Sequence, residues 1–395
     1  MAIPDLDDLL RAGVRGRRVL VRADLNVPLV EGRIRDDTRI RAFLPTLRRL
    51  LANGARAIVV SHLGRPRGER DPALSLRPVA PRLAELIGRG VAFCDECIGP
   101  AAEAAVADLA DGETLLLENL RFHPGEEQND PDFARALASL AEMYVNDAFG
   151  TAHRAHASTV GVPKLVPARA AGDLLRSELA HLDAVRNPKR PLMVLMGGAK
   201  VSDKIAVLEA LAAHADTLAI GGAMAYTFLA ARGEAIGASK FEPDRVDAAR
   251  GVIRAAEERG CALLLPEDHV VAATAEAGAE ARTVETIPEG SIGLDIGPAT
   301  ARRYVAAARN ARTVFWNGPM GMFEIEAFGG GTRAVATGLA DCDALTVVGG
   351  GDSVAAINQL GLADRFDHVS TGGGASIEYV QGLTLPGVAS LEDRP

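Results

Sequence analysis

The sequence predicts an α/β protein of two lobes, each a mainly parallel sheet flanked by helices, joined by one interlobe helix. Three observations predict it. Short apolar runs alternate with longer helical patterns, and strands that read as near-continuous apolar runs belong to parallel sheets covered on both faces. The alternation occurs twice, once in each half. The chain of 395 residues also exceeds what one hydrophobic core usually supports, so two domains of roughly 200 residues each are expected.

In the first half, β-rich apolar runs predict strands at 19–21, 57–60, 91–93, 114–117 and 143–145. Apolar residues at helical spacing predict helices near 37–53, 76–87, 101–110 and 130–140 between them. The second half predicts strands at 192–196, 217–220, 262–265, 313–315 and 345–348, with helices after most of them. The stretch 270–296 is strand-rich without a helical period, which predicts an antiparallel addition. Between the halves, residues 173–185 form an amphipathic helix with Leu174, Leu175, Leu179 and Leu182 on one side. Asn187-Pro188 ends it, because proline cannot continue a helical ladder. The expected division is therefore 1–172, a hinge helix at 173–186, and 187–381.

Composition bounds the function. Hydrophobic residues make up 48% and charged residues 24% of the chain, as in an ordinary globular protein. A net charge of −9 argues against a general nucleic-acid or membrane-surface binder, although an acidic whole can hold a basic cleft. No apolar run reaches about 18 residues, so no spanning helix is expected. Residues 1–10 are acidic and unlike a secretory signal, which makes the cytoplasm the expected location. Four cysteines are too scattered for a disulfide framework. Cys94-Asp95-Glu96-Cys97 lacks the second pair that a zinc site needs.

In open parallel sheets, ligands bind outside the carboxyl ends of the strands. In the first half those ends carry cations: Arg22-Ala23-Asp24-Leu25-Asn26, Ser61-His62-Leu63-Gly64-Arg65, Glu118-Asn119-Leu120-Arg121, and Asn146 onward through His153-Arg154-Ala155-His156. A helix start at Asp36-Asp37-Thr38-Arg39 adds another. Guanidinium forks match phosphate and carboxylate oxygens, so this lobe is read as a site for a small polyanion, with Asp24 and Asn26 as acceptors for a hydroxyl. In the second half the strand ends are glycines: Gly197-Gly198-Ala199-Lys200, Gly221-Gly222, Asn317-Gly318-Pro319-Met320-Gly321, Gly349-Gly350-Gly351-Asp352-Ser353 and Gly372-Gly373-Gly374. Glycine lets the backbone approach a ligand and frees N–H groups for phosphate.

Among 43 basic residues only Lys164, Lys189, Lys200, Lys204 and Lys240 are lysines, and two of them fall in the first of these loops. Four residues apart, Lys200 and Lys204 are expected on one face at a helix start. There they oppose the helix dipole, so phosphate binding explains them better than stability does. Asp352 is suited to hold Mg²⁺ on nucleotide phosphates, and Glu324 to accept from ribose hydroxyls. There is no P-loop, no protein-kinase signature set and no dinucleotide fingerprint, which counts against an NAD-dependent dehydrogenase. A two-lobed solute-trapping protein would usually carry an export signal.

Taken in order, the stretches at 22–28, 61–66, 117–123, 146–156, 197–205, 221–228, 294–300, 315–324, 348–355 and 368–378 closely resemble phosphoglycerate kinase across nearly the whole chain. The resemblance implies two Rossmann-like lobes, closure about the interlobe helix, a C-terminal tail at about 382–395 returning to the first lobe, and a monomer. It implies 3-phosphoglycerate contacts at Asp24, Asn26, Arg39, His62, Arg65, Arg121 and Arg154. It implies nucleotide contacts for ADP or ATP at Gly198, Ala199, Lys204, Gly222, Gly293, Pro319, Glu324, Gly351, Asp352 and Ser353, with Mg²⁺ on Asp352. Arg39, Lys200 and Gly372, Gly373 and Gly374 would meet the transferring phosphoryl group. Ala223, Cys94 and Lys240-Phe241 depart from the family's commoner residues without touching the implied chemistry.

Overall fold

The first sheet begins with β1 (Arg18–Ala23), whose Val19, Leu20 and Val21 are fully buried. A short antiparallel hairpin comes next, β2 (Leu29–Val30) and β3 (Arg33–Ile34). Then come β4 (Arg56–Val60), β5 (Val91–Cys94), β6 (Thr114–Leu117), β7 (Met143–Asp147) and β8 (Ala168–Ala171). Six of these strands form a parallel sheet in the order β5-β6-β4-β1-β7-β8. The register sets Val19 beside both Ala57 and Met143. Helix Thr38–Ala52 covers it with Phe43, Leu47 and Leu50. The computed structural model describes residues 3–202 and 204–392.

The expected strands of this half are all present, and β2, β3 and β8 are additions to them. Ala168-Arg169-Ala170-Ala171 has little intrinsic strand propensity; pairing with β7 makes it a strand. The helix expected from 76 starts at Val79, because Leu76 N (2.8 Å) and Ser75 Oγ (2.6 Å) both donate to the Glu118 carboxylate and hold that segment extended. Asp130 caps helix Pro131–Ser139 by accepting from Asp132 N and Phe133 N.

The second sheet repeats the plan with β9 (Leu192–Met196), β10 (Thr217–Ile220), β11 (Ala262–Leu264), β15 (Thr313–Asn317), β16 (Leu345–Gly349) and β17 (His368–Val369). They are parallel in the order β11-β10-β9-β15-β16-β17. The expected antiparallel addition is a separate sheet of β12 (His269–Ala272), β13 (Arg282–Val284) and β14 (Ile292–Ile296), ordered β13-β12-β14. Trp316, the only tryptophan, is fully buried in β15.

The chain divides into two compact units, one of Met1–Leu179 with Thr384–Pro395 and the other of Ala180–Leu383. The division falls inside helix Asp173–Arg186. Leu175, Leu179 and Leu182 are buried, whereas Leu174 is only half-buried and so lies off the apolar face assigned to it. At the other end of the chain, Gly387 N donates to Ala152 O (2.8 Å), Ser390 Oγ to Thr159 O (2.8 Å) and Arg169 Nη2 to Glu392 O (2.9 Å). Among the described residues, no helix is long and apolar enough to cross a membrane.

Candidate active site

In the first unit, the carboxyl ends of β1, β4 and β6 and the start of helix Thr38–Ala52 converge on one cluster. Arg39 Nη1 donates to Asp24 Oδ2, and Asp24 is itself buried. Asn26 Oδ1 accepts from Gly64 N (2.9 Å), and Gly64 O accepts from Arg121 Nη1 (2.8 Å). His62, buried at the end of β4, faces Arg22 with 3.2 Å between its Nδ1 and Arg22 Nη2. Arg121 is almost fully buried and pairs with Glu127 at 3.1 Å. Arg65 is exposed beside Gly64. Arg154 donates from Nε to His153 Nε2 (3.2 Å) and is close enough to Arg121 and His156 to act on their charge.

This differs from the sequence expectation in one respect. The sequence reads Asp24 and Asn26 as free acceptors, but Arg39 takes the first and a backbone N–H takes the oxygen of the second. Asn26 therefore has its amide N–H groups and one remaining lone pair of its oxygen to offer a ligand.

Burial first, and neighbouring positive charge second, depress the histidines. Burial, then Arg22, Arg121, Arg39 and His156, hold the His62 imidazole well below its usual range. Burial, then Arg121, Arg22 and Arg154, bring His156 down to about 3. Beneath the cluster, burial raises the carboxyl of Glu126. Its oxygens accept from Ser158 N (2.9 Å) and Ser158 Oγ (2.5 Å).

In the second unit the glycine loops meet backbone to backbone. A Cβ on Gly197 would lie 2.0 Å from Pro319 O, and one on Gly222 would lie 2.6 Å from Gly198 N. Met224 N donates to Gly198 O (3.0 Å), and Gly222 N to Met320 O (2.8 Å). Ser353 Oγ accepts from Gly318 N, so this hydroxyl braces the loop that carries Pro319. Lys204 Nζ donates to Gly197 O (2.7 Å), Asn317 O (3.2 Å) and Asn317 Oδ1 (2.7 Å). Met322 N donates to Leu294 O (2.9 Å), which ties the loop bearing Glu324 to β14 and Gly293. Gly293 is a glycine for a protein reason, since its Cβ would meet the Tyr226 hydroxyl at 2.2 Å.

Lys200 and Lys204 do not share a helical face. Helix Ile205–Ala212 begins after both, with Lys204 as its N-cap residue and Lys200 exposed in the loop before it. The cause is Glu242, whose carboxylate accepts from Val201 N, Ser202 N and Ser202 Oγ and holds that turn out of the helix. Gly351 and Asp352 are exposed in the first turn of helix Gly351–Gln359, after Gly350 at φ 90°. Ala199 is exposed in the same loop as Lys200. Gly372 N donates to Ser370 Oγ (3.1 Å), and Gly373 turns at φ 52° before helix Gly374–Val380.

Three residues were absent from the expected site. Asn317 anchors Lys204, and Glu126 and Ser158 support Arg22. Arg22 itself carried a signal, since a cation inside the run Val19-Leu20-Val21-Arg22-Ala23 must be buried with partners.

Comparison with known proteins matches the phosphoglycerate kinase family model over residues 6–383. The chain is 55% identical over 384 residues to a phosphoglycerate kinase from Moorella thermoacetica, covering 96% of this chain and 98% of that protein. It is 56% identical over 384 residues to one from Rubrobacter xylanophilus, covering 96% and 97%. The solved phosphoglycerate kinase of Coxiella burnetii superposes with a TM-score of 0.89 at 39% identity, over 99% of both chains.

Proposed function

Since the chain belongs to the phosphoglycerate kinase family, we propose that its arginine cluster holds 3-phosphoglycerate and its glycine-lined loops hold the nucleotide. The reaction of the family is reversible transfer of the acyl phosphoryl group of 1,3-bisphosphoglycerate to ADP. Its nucleophile is a phosphate oxygen in one direction and a carboxylate in the other. Neither carries a proton to be removed, so the site needs positioning and charge neutralisation rather than a base.

One observation carries the assignment of the first unit: Asp24, Asn26, Arg39 and Arg121 are linked by hydrogen bonds through Gly64 at the strand ends, and Arg39 and Arg121 are close enough to His62 to act on its charge. Arg65, Arg121 and Arg154 bind the phosphate, Asn26 donates to the sugar acid, and Arg39 is aimed by Asp24 at the reacting carboxyl. In the second unit, Gly198, Ala199, Gly222, Gly293, Pro319 and Glu324 line the nucleoside. Lys204, Gly351, Asp352 and Ser353 attend its phosphates. Lys200 and the amides of Gly372, Gly373 and Gly374 stabilise charge on the phosphoryl group in flight.

Among the described residues no group of three or more His, Cys, Asp or Glu side chains gathers as a metal cage. That fits Mg²⁺, which takes one carboxylate, here Asp352, and fills its remaining positions with phosphate oxygens and water. When bound, it supplies neutralisation of nucleotide phosphate charge. Closure about helix Asp173–Arg186 excludes water that would hydrolyse the acyl phosphate. The enzyme works as a cytoplasmic monomer.

A coupled assay with ADP and 1,3-bisphosphoglycerate tests the assignment. The expected result is turnover that saturates in both substrates, with Arg65→Ala raising KM for 3-phosphoglycerate about 10-fold in the reverse direction. An unchanged KM in that variant would remove the arginine cluster from substrate binding.

A further inference from the structure

We propose that Arg22 is a positioning residue: its buried guanidinium, braced through Ser158 against Glu126, locks His62 in the neutral tautomer that presents Nε2–H to the phosphoglycerate. The proposal rests on the reading that the substrate lies against His62.

Arg22 lies on β1 and is fully buried. Its three nitrogens are all engaged. Nη1 donates to Ala23 O, Nε donates to Ser158 Oγ at 2.9 Å, and Nη2 lies 3.2 Å from His62 Nδ1. A guanidinium offers donors only and does not release its proton in proteins. The nitrogen it faces must therefore bring a lone pair, which makes Nδ1 the acceptor. A neutral imidazole with an acceptor at Nδ1 carries its proton on Nε2. An imidazolium would set N–H against N–H across that contact, one cation on another.

Counting donors in the same way gives the brace. Ser158 Oγ accepts from Arg22, so its own hydrogen goes to Glu126 Oε1 at 2.5 Å, while Glu126 Oε2 takes Ser158 N at 2.9 Å. Glu126 is fully buried and holds Ser158 in place through these two bonds. The groups that act on His62 are Arg22 on β1, Arg39 on helix Thr38–Ala52, Arg121 after β6 and His156. None of them is an acid that would favour a charged imidazole. The arginines thus supply charge to the anion, and His62 supplies a directed donor whose protonation does not change near neutral pH.

The decisive measurement uses the full-length wild-type enzyme labelled with ¹⁵N-histidine. Long-range ¹H–¹⁵N correlation should show His62 protonated at Nε2 and bare at Nδ1, unchanged from about pH 8 to about pH 6. A proton on Nδ1, or titration near about pH 6.5, overturns the proposal. A second measurement uses Arg22→Gln, in which KM for 3-phosphoglycerate should rise about 10-fold with kcat within about 3-fold. In the same variant the long-range correlation should show part of His62 protonated at Nδ1, because a glutamine amide offers that nitrogen an acceptor as well as a donor. A rise in KM with His62 still protonated only at Nε2 would mean that Arg22 only supports the fold, and would sink the idea. Failure of Arg65→Ala to affect KM would overturn the substrate assignment instead, while leaving the tautomer result standing.

Discussion

Arg39 and Lys204, the one proposed to meet the transferring phosphoryl group and the other the nucleotide phosphates, are held differently. Arg39 has, among the described residues, a single carboxylate partner, Asp24, and remains about one-third exposed. Removing a charge donor of the transition state typically costs a factor of hundreds, so Arg39→Ala should lower kcat by at least about 100-fold. Steady-state kinetics check this, and near-normal turnover would exclude Arg39 from the mechanism. Lys204 instead closes three hydrogen bonds to Gly197 and Asn317. Lys204→Met should therefore raise KM for ADP and also destabilise the second unit by about 1–3 kcal/mol, since buried acceptors lose their donor. Denaturant unfolding read by Trp316 fluorescence measures the second effect. At this scale the chemistry-bearing residue types were legible in the loop residues just past each apolar run. The partners were not: the pairing of Asp24 with Arg39, or of Ser158 with Arg22 across 136 residues, depends on which loops the sheet order makes neighbours.

The elements were legible because a strand buried on both faces has to be apolar along its length. Each expected strand is present, with ends within two residues of the expected ones. β8 and β17 were not legible, being short strands that exist through pairing with β7 and β16. The helix start near Lys204 was misplaced because Glu242, 38 residues further on, competes for the backbone donors of Val201 and Ser202. The loops after β9 and β15 make a sharper test of element packing. Gly197 has its Cβ position 2.0 Å from a carbonyl oxygen of the neighbouring loop, with no flexible side chain to yield. Gly197→Ala should destabilise the second unit by at least about 1–3 kcal/mol, the range for forced overpacking. Loss of less than this on the Trp316 transition would show that the two loops separate easily.

For the whole molecule, two buried acids bias the pH dependence of stability. Burial raises Asp147 and Asp295 each to about 7. The folded state then keeps protons that an unfolded aspartate releases above about pH 4, so this stabilisation is complete below that pH and is lost as pH rises toward about 7. Glu142, held low by hydrogen bonds from Arg17 and then the Arg18 backbone, acts oppositely and loses its contribution in acid. The depressed His62 and His156 also act oppositely to the two acids over this window, so the acids show in a difference: from about pH 5 to about pH 7 the wild-type Tm should fall relative to that of the Asp147→Asn, Asp295→Asn variant. A Tm difference between the two proteins that stays constant over the range would contradict it. The C-terminal segment makes a second whole-chain test. Leu385 and Leu391 are buried and belong with the first unit. Deleting residues 384–395 should lower the unfolding transition of that unit, monitored by circular dichroism, while the Trp316 transition stays in place. Equal loss in both would refute the separation. By itself the sequence determined the two α/β halves, the cationic strand ends of one and the glycine-lined strand ends of the other. Those properties come from periodicity and local backbone sterics, which are written residue by residue. Only the tertiary structure decided strand order, which acceptors are already committed, and which nitrogen of His62 carries a proton, because each depends on partners brought together from distant parts of the chain.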